Sequence, residues 1–138
     1  MEHLRSGRYD FSDRNKEGLT PEEVINIYKS AFFSDAYFTS SNAVTEKGEL
    51  YNVDGNGNRV AAMLYGPEKV IVVCGVNKIV KDVEEAINRN KRISAPINAK
   101  RLNKKTPCTK IGTCMDCSSN ERICNEYTLI FLNKEIGY

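Results

Sequence analysis

Four of the five cysteines lie close together near the C-terminal end of this 138-residue chain. Their spacing is Cys108-x5-Cys114-x2-Cys117-x6-Cys124, which matches neither a zinc ribbon nor a ferredoxin. Two thiolates separated by two residues can hold one ion from a tight turn, and two flanking cysteines complete four ligands. An all-sulfur set suits Zn²⁺ or an iron–sulfur cluster. The sequence therefore predicts a metal centre here, with free or oxidised thiols as the alternative.

Polar residues that follow two short predicted strands have the composition of an anion site. One group spans residues 39–45, and the other is a turn at residues 54–58 followed by Arg59. In open α/β sheets ligands bind beyond the carboxyl ends of the strands, and a guanidinium beside a helix N-terminus suits a carboxylate or phosphate. The alternative is that residues 54–58 form only a tight turn and that Arg59 is a surface ion-pair partner.

A third candidate segment, Gly75-Val76-Asn77-Lys78, lies between a predicted buried strand and its following helix. Lys78 would hold an anion at the same edge of the sheet. A lysine at a helix start opposes the helix dipole, which indicates a reason for its presence other than helix stability. The alternative is an ordinary turn with a solvated lysine. Cys74 ends the buried strand, and we expect it to be inert core.

The elements that position these residues follow from periodicity and from helix-start signals. Thr20, Pro21 and Glu23 provide an N-cap, a first-turn proline and a capping box, so they predict a helix. The apolar run of residues 70–75 predicts a central parallel strand buried on both faces. The order of elements predicts an α/β sheet with helical cover. Predicted strands are 36–39, 50–53, 70–75 and 127–132, and predicted helices are 20–31, 59–65, 78–90 and 96–102.

Composition limits the classes of protein to which the chain can belong. Its 20 Lys and Arg residues against 18 Asp and Glu leave a net charge of +2, which argues against a dedicated nucleic-acid binder. Hydrophobic residues at 41% suffice for a core, so we expect one domain over residues 1–138. The single histidine, His3, excludes a multi-histidine metal site.

The sequence also indicates a compartment. The N-terminal residues lack the apolar segment of a signal peptide, and the longest apolar stretch, residues 70–76, is far shorter than the roughly 20 residues of a membrane span. An odd number of cysteines, four of them clustered, fits a reducing compartment better than a disulfide framework. We therefore expect a cytoplasmic protein with neither membrane nor nucleic-acid partners.

Short motifs spread along the chain are more distinctive than any single candidate residue. They are Ser40-Ser41-Asn42-Ala43-Val44-Thr45-Glu46, Gly48-Glu49-Leu50, Asn52-Val53-Asp54-Gly55, Gly57-Asn58-Arg59-Val60-Ala61-Ala62, Tyr65-Gly66-Pro67, Gly75-Val76-Asn77-Lys78, Ala95-Pro96-Ile97-Asn98-Ala99-Lys100-Arg101-Leu102, Thr106-Pro107-Cys108, Cys114-Met115-Asp116-Cys117, Arg122-Ile123-Cys124-Asn125 and Glu135-Ile136-Gly137-Tyr138. With these motifs the chain resembles the lactate-utilisation (LUD) domain family, in its cysteine-containing branch.

The resemblance implies a Rossmann-like α/β sheet related to the isomerase and CoA-transferase superfamily. It also implies that the chain begins after the family's first βα unit, whose glycine-rich turn faces the pocket. Members of the wider family take part in oxidising L-lactate to pyruvate within an iron–sulfur complex. No motif matches the glutamate nucleophile of the CoA transferases. The pocket residues that the resemblance implies are Asn42, Thr45, Asp54, Gly55, Asn58, Arg59, Asn77 and Lys78.

Three functional hypotheses follow. In the first, a LUD-type protein binds a small anionic metabolite and acts in or beside 2-hydroxy-acid oxidation with iron–sulfur partner subunits, and whether it is itself an enzyme stays open. In the second, it is a regulatory or interaction module whose chemistry is a zinc or iron–sulfur centre in the cysteine-rich loop of residues 106–124. In the third, another chain, such as a second copy in a homo-oligomer, completes its sheet edge.

Overall fold

The chain folds into a mixed α/β structure in which helices pack on two small sheets. The computed structural model describes residues 2–117, 124 and 128–131. The helices are α1 (Pro21–Ser30), α2 (Asn58–Tyr65), α3 (Val83–Arg89), α4 (Ala95–Arg101) and α5 (Pro107–Ile111). The strands are β1 (Ala36–Thr39), β2 (Ala43–Thr45), β3 (Leu50–Val53), β4 (Lys69–Val72), β5 (Ile79–Val80) and β6 (Thr128–Phe131). Within those described residues, no helix combines the length and apolar character needed to cross a membrane.

Helix α1 begins where the sequence predicts it. The Thr20 hydroxyl accepts a hydrogen bond from the Glu23 backbone N–H at 3.3 Å, and the Glu23 carboxylate accepts one from the Thr20 backbone N–H at 2.7 Å. This reciprocal capping box satisfies two backbone donors that the helix leaves open at its N-terminus. The apolar stripe of α1 is only partly covered, because no residue of the helix is fully buried.

The strands form a two-stranded and a four-stranded sheet. In the first sheet β1 and β4 run parallel, and in the second the order is β5-β2-β3-β6. Strand β2 is parallel to β5 and antiparallel to β3, and β3 is antiparallel to β6. The predicted α/β class is therefore confirmed. Strands β2 and β5 were absent from the predicted elements, because runs of three and two residues show no periodicity.

Two segments of chain run side by side from the first sheet to the second. Residues 40–42 join β1 to β2, and residues 73–78 join β4 to β5. Because β1 pairs with β4 and β2 pairs with β5, both connections span the same gap. We call residues 40–42 the first crossing and residues 73–78 the second crossing.

The second crossing is the longer of the two, and the difference shapes it. Thr39 pairs with Val72, and Val44 pairs with Ile79. The chain advances five positions from Thr39 to Val44 across the first crossing, and seven from Val72 to Ile79 across the second. The extra length is taken up by a 3₁₀ turn at Val76–Lys78. That turn returns the lysine toward the first crossing.

The main apolar cluster lies under the second sheet. It contains Ala43, Tyr51 and Val80 from three neighbouring strands and Ala86 from α3, all at most 7% exposed. Small residues on β2 and α3 allow the helix to approach the sheet closely. This packing fixes α3, whose C-terminal end carries Arg89, against the strand that follows the first crossing.

The predicted burial of residues 70–75 on both faces is wrong. Ile71 is 39% exposed and Val73 is 64% exposed, whereas Val70 and Val72 on the opposite face are partly buried. Phe38, the partner of Ile71 in the β1–β4 register, is also exposed. Within the part of the chain that the structure describes, β4 pairs only with β1, and this face of the pair lies open.

The predicted start of a helix at Lys78 is also wrong. Helix α3 begins at Val83, after Asp82 caps it by accepting a hydrogen bond from the Glu85 backbone N–H at 2.9 Å. Lys78 instead ends the 3₁₀ turn and precedes β5. The helix-dipole argument for this lysine therefore does not apply, and its position needs a different explanation.

Helices α3 and α4 are joined by a π-helical segment, Asn90–Ser94. Its register is shown by the Ala95 N–H, which donates to the Asn90 carbonyl five residues earlier. The next residue, Pro96, has no N–H to donate. The Lys91 carbonyl, five residues before that proline, accepts instead from the Cys114 backbone N–H at 2.7 Å. The cysteine-rich segment is thereby attached to the π-helical segment that follows Arg89.

Candidate anion-binding site

A polar cluster, which we call the crossing site, forms where the two crossings meet side chains from α2 and α3. Its members belong to the first crossing or form hydrogen bonds with it, except Asp54, which joins the site through Arg59. They are Ser40, Ser41, Asn42, Asn52, Asp54, Arg59, Cys74, Lys78 and Arg89.

Arg59, from the first turn of α2, is the hub of this cluster. Its Nε donates to Asp54 at 2.9 Å, and its Nη1 donates to the Ser40 carbonyl at 2.6 Å and to Asn52 Oδ1 at 2.5 Å. Its Nη2 donates to Asn42 Oδ1 at 2.8 Å and to Asp54 at 2.5 Å. An arginine has five N–H donors, and all five have partners within the chain. Arg59 therefore holds the site together and has no donor left for a ligand.

Asp54 explains why Arg59 is placed there. One carboxylate oxygen, Oδ2, accepts from the Val60 backbone N–H at 2.9 Å and so caps α2, whose N-cap residue Gly57 has no side chain to do this. The other oxygen receives the two bonds from Arg59, the second residue of the helix. The side chains of this ion pair are 16% and 6% exposed. Its energetic role is to satisfy two buried charges, each of which is costly when left alone.

Lys78 enters the site from the second crossing. Its Nζ donates to the Ser40 hydroxyl at 2.7 Å and to the Ser41 carbonyl at 2.9 Å. An ammonium has three donors, so one remains after these two bonds. The lysine is partly buried, and the structural ion pairs among the described residues do not include it.

Arg89 reaches the first crossing from the C-terminal end of α3. Its Nη1 donates to the Asn42 carbonyl at 2.5 Å and to Ser94 Oγ at 2.8 Å, and its Nε donates to the Asn77 carbonyl at 3.1 Å. In the part of the chain that is described, Arg89 forms no ion pair either. Its Nη2 group keeps two donors beyond these bonds. Lys78 and Arg89 thus bind neighbouring carbonyl groups and bring positive charge that no described carboxylate neutralises.

Cys74 lies in the site, so the prediction that it belongs to the core is wrong. Its sulfur accepts from the Ser41 backbone N–H at 3.3 Å and lies 3.5 Å from the Ser40 hydroxyl oxygen. The residue is partly exposed. Strand β4 ends two residues before it, so the side chain falls in the second crossing and faces the first.

Asn52 is the most deeply buried polar side chain in the site, at 0% exposure. Its Oδ1 accepts from Arg59 and from the Ser41 hydroxyl at 3.2 Å, whereas its Nδ2 has no hydrogen-bond partner among the residues that the structure describes. A buried donor without a partner costs about 1–3 kcal/mol. The residues of the site therefore do not satisfy all of its buried hydrogen-bond donors, because Asn52 Nδ2 is left over.

The structure brings together five of the eight pocket residues that the sequence predicts. These are Asn42, Asp54, Arg59, Asn77 and Lys78. Gly55 lies in the turn before α2, and Asn58 is the first residue of that helix. Thr45 is apart from the cluster, because it lies at the far end of β2. There its hydroxyl donates to the Glu49 carboxylate at 2.8 Å and accepts from the Glu49 N–H at 3.0 Å.

Sequence reasoning missed several members of the site. Asn52 carried one usable signal, since a polar residue between apolar neighbours in a strand indicates a buried partner. Arg89 carried none, because it reaches the site through the packing of α3 on β2. Ser40 and Ser41 lay within a segment that was identified as polar, but nothing in the sequence separated them from their neighbours.

The four clustered cysteines are not arranged as a ligand set. Cys74, Cys108, Cys114 and Cys117 are not in disulfides. Cys108 is buried in α5 with its sulfur 3.1 Å from the Thr106 hydroxyl, and Cys114 donates to Asp116 at 3.7 Å. Among the described residues, which include all four sulfurs, no group of three or more His, Cys, Asp or Glu side chains could hold one metal ion. The metal site therefore stays a prediction.

Lys91 and Asp116 form an exposed ion pair beside this cysteine segment, at 2.6 Å. The hydrogen bond between them raises the pKa of Lys91 and lowers the pKa of Asp116. Together with the bond from Cys114 N–H to the Lys91 carbonyl, the pair fastens residues 114–116 to the π-helical segment. The cysteine segment is therefore fastened at Lys91, which lies two residues after Arg89 in the chain.

A cleft of about 560 Å³ lies elsewhere, at the amino ends of β1 and β4. It is lined by Phe32, Phe33, Ser34, Asp35, Gly66, Pro67, Glu68 and Lys69. The crossing site lies beyond the carboxyl ends of the same two strands. We favour the crossing site as the functional one, because the cleft has no convergent set of hydrogen-bonded polar groups.

Comparisons with known proteins agree with the sequence motifs. Searches of the curated proteins and of the solved structures each return no significant match. The family comparison matches residues 1–136, nearly the whole chain, to the LUD domain. The chain therefore belongs to the LUD domain family.

Proposed function

We propose that the chain binds a small anionic metabolite, a short 2-hydroxy or 2-oxo carboxylate, at the crossing site. The observation that carries the proposal is the pair of cations, Lys78 and Arg89, which have no ion-pair partner among the described residues. Membership of the LUD domain family supports a role connected with lactate utilisation. We place the protein in or beside 2-hydroxy-acid oxidation.

The unused donors suggest how a carboxylate would be held. Counted against the described part of the chain, Lys78 retains one N–H and the Nη2 group of Arg89 retains two. Their other donors bind the Ser41 and Asn42 carbonyls, which are adjacent along the first crossing. Charge-assisted bonds from two cations to one carboxylate are the strongest polar contacts that such a site can offer. The Ser40 hydroxyl, already bonded to Lys78, would contact the 2-hydroxy or 2-oxo oxygen.

Arg59 has a different part in the proposal. Its donors are fully used, so it fixes the Ser40 carbonyl and the Asn42 side chain in place for the other two cations. This placement costs nothing further when a ligand binds, because the groups are ordered beforehand. The site that we propose is therefore built on α2 and completed by the second crossing and α3.

We also propose that the two sheets together form a Rossmann-like sheet, and the parallel pairing on both sides of the crossings supports this proposal. Strand pairs β1–β4 and β2–β5 keep the same direction and the same neighbours through the gap. A single parallel sheet interrupted at this point is compatible with the Rossmann-like sheet of the isomerase and CoA-transferase superfamily. Ligand binding beyond the carboxyl ends of β1 and β4 agrees with the general rule for such sheets.

A panel of related compounds tests the ligand class. We expect lactate, pyruvate and phosphate to raise the melting temperature of the purified chain and to give measurable heats of binding in isothermal titration calorimetry. Lactamide, which replaces the carboxylate by a neutral amide of the same shape, is the matched control and should give neither effect. Equal responses to lactate and lactamide, or no response to any anion, would contradict the proposal.

A second candidate is a metal-binding regulatory module built on Cys108, Cys114, Cys117 and Cys124. It is favoured by the Cys-x2-Cys spacing and by the attachment of this segment to the π-helical segment that follows Arg89. Zinc would order the segment, and an iron–sulfur cluster would make it sensitive to redox state. Metal analysis and the visible spectrum of anaerobically purified protein distinguish the two, and the absence of both metals would reject this candidate.

The partners that we propose are iron–sulfur subunits or a second copy of the chain. The open apolar face at Phe38, Ile71 and Val73 supports such an association, because exposed apolar patches on a sheet commonly mark interfaces. Light scattering of the purified chain tests self-association. A monomer at all accessible concentrations would leave a different subunit as the expected partner.

A further inference from the structure

The geometry points to Cys74 as a nucleophilic thiol of the crossing site, one that reacts with small carboxylate-bearing electrophiles in preference to neutral ones. The inference rests on the proposed anion site and adds a covalent residue to it. Nothing in the sequence singled this cysteine out, and it does not belong to the four clustered cysteines near the C-terminal end.

The sulfur shares its hydrogen-bonded neighbours with a cation. The Ser40 hydroxyl oxygen lies 3.5 Å from Cys74 Sγ and accepts from Lys78 Nζ at 2.7 Å. With that lone pair engaged, the hydroxyl proton is free to point at the sulfur. The Ser41 backbone N–H also donates to the sulfur, at 3.3 Å. Two donors therefore face the sulfur, and the ammonium lies one hydroxyl group away.

The charge around this thiol is unbalanced. Lys78 and Arg89 both bind the first crossing without an ion-pair partner among the described residues, and the only carboxylate of the site, Asp54, is committed to Arg59. A cleft with one sign of charge raises the local concentration of an oppositely charged reactant by about 10-fold to 1,000-fold. A bound carboxylate would also hold the adjacent carbon close to the sulfur.

Comparing iodoacetate, which carries a carboxylate, with neutral iodoacetamide measures the effect of this positive charge on the reaction at Cys74. With either reagent the thiolate sulfur attacks the methylene carbon, the S–C bond forms as the C–I bond breaks, and iodide leaves with the bonding electrons. The thiol proton is released to the buffer. Both reagents require the thiolate, so the ratio of their rates at one cysteine does not depend on its ionised fraction. The ratio depends on how strongly the site attracts the carboxylate that iodoacetate carries and iodoacetamide lacks.

The experiment measures that ratio at each cysteine of the intact, reduced chain by mass spectrometry of its peptides. We expect the iodoacetate-to-iodoacetamide rate ratio at Cys74 to be about tenfold higher than at Cys117, which serves as an internal reference in the same sample. High salt should bring the two ratios together, because screening weakens the attraction. Equal ratios at low salt would overturn the inference.

Variants identify the source of the effect. Lys78→Met should lower the ratio at Cys74 severalfold, and Lys78→Arg should preserve it because the charge remains. Lys81→Met removes an exposed lysine nearby in the sequence and is the matched control. If the iodoacetate-to-iodoacetamide ratio at Cys74 is the same in Lys78→Met as in Lys78→Arg and Lys81→Met, the charge of Lys78 does not act on this sulfur.

Failure of this inference and failure of the proposed function give different results. If lactate binds in calorimetry but the ratio at Cys74 equals that at Cys117, the anion site stands and the thiol is not part of it. If the ratio is high but neither lactate nor pyruvate binds or slows alkylation, the reactive thiol stands and the metabolite class is wrong.

Discussion

At the scale of single residues, the crossing site contains one cation that stabilises its structure and two cations that are available to bind a ligand. Arg59 donates every one of its N–H groups to the chain, whereas Lys78 and Arg89 each keep donors that the described residues do not use. This difference cannot be read from sequence, because all three are basic residues near polar neighbours. Counting donors and acceptors in the structure makes the distinction.

Replacing Arg59 by Met should destabilise the fold strongly. The substitution leaves the buried Asp54 carboxylate without its counter-charge, and breaking a buried pair in this way costs about 3–5 kcal/mol. Urea denaturation followed by circular dichroism measures the loss. Arg92→Met, at an exposed position on the π-helical segment, is the matched control and should change stability by about 0.5 kcal/mol or less. Equal effects of the two substitutions would contradict the hub role of Arg59.

At the scale of elements, sequence signals succeeded where a local cap defines the boundary. The capping box placed α1 correctly, and the turn before α2 placed that helix within one residue. The same reasoning failed between β4 and α3, where four residues, including strand β5, separate Lys78 from the helix. Those short elements exist because β5 pairs with β2, a contact between distant parts of the chain.

The start of α1 provides a test of the capping box. The Thr20 backbone N–H, and then its hydroxyl, hold the pKa of the Glu23 carboxyl below its usual value of 4.5. A lowered pKa means that the ionised form stabilises the helix start, and that this contribution is lost as the pH falls through the lowered value. Thr20→Ala removes the hydroxyl, so the Glu23 pKa measured by NMR should rise part of the way back. An unchanged pKa would show that the hydroxyl contributes nothing.

The glycine that ends α2 provides a second test at this scale. A Cβ on Gly66 would lie 2.1 Å from the Ala62 carbonyl oxygen, which is backbone and cannot move aside freely. A Cβ on Gly75 would meet only the Asn77 side-chain oxygen, at 2.6 Å, which can rotate away. Gly66→Ala should therefore lower the free energy of unfolding by about 1–3 kcal/mol, and Gly75→Ala by clearly less. The opposite order in urea denaturation would contradict this account.

For the whole molecule, function depends on how two sheets meet. Sequence motifs were enough to assign the LUD domain family and the α/β class, because both depend on residues that lie close together in the chain. The site required the structure, because its cations come from the second crossing and from α3 and meet only through the packing of β2, β5 and that helix. The four-cysteine centre stays a prediction, and the structure shows only that the Cys114 N–H donates to the Lys91 carbonyl of the π-helical segment.

The most direct test of the central claim is calorimetric titration of lactate into the wild-type chain, Lys78→Met and Lys81→Met in parallel. Lactate should bind the wild type and Lys81→Met with equal affinity. Lys78→Met should bind roughly tenfold to a hundredfold more weakly, as expected for the loss of one charge-assisted hydrogen bond. A dissociation constant that is the same in all three proteins, or an absence of binding to the wild type, would contradict the claim that the crossing site is an anion site.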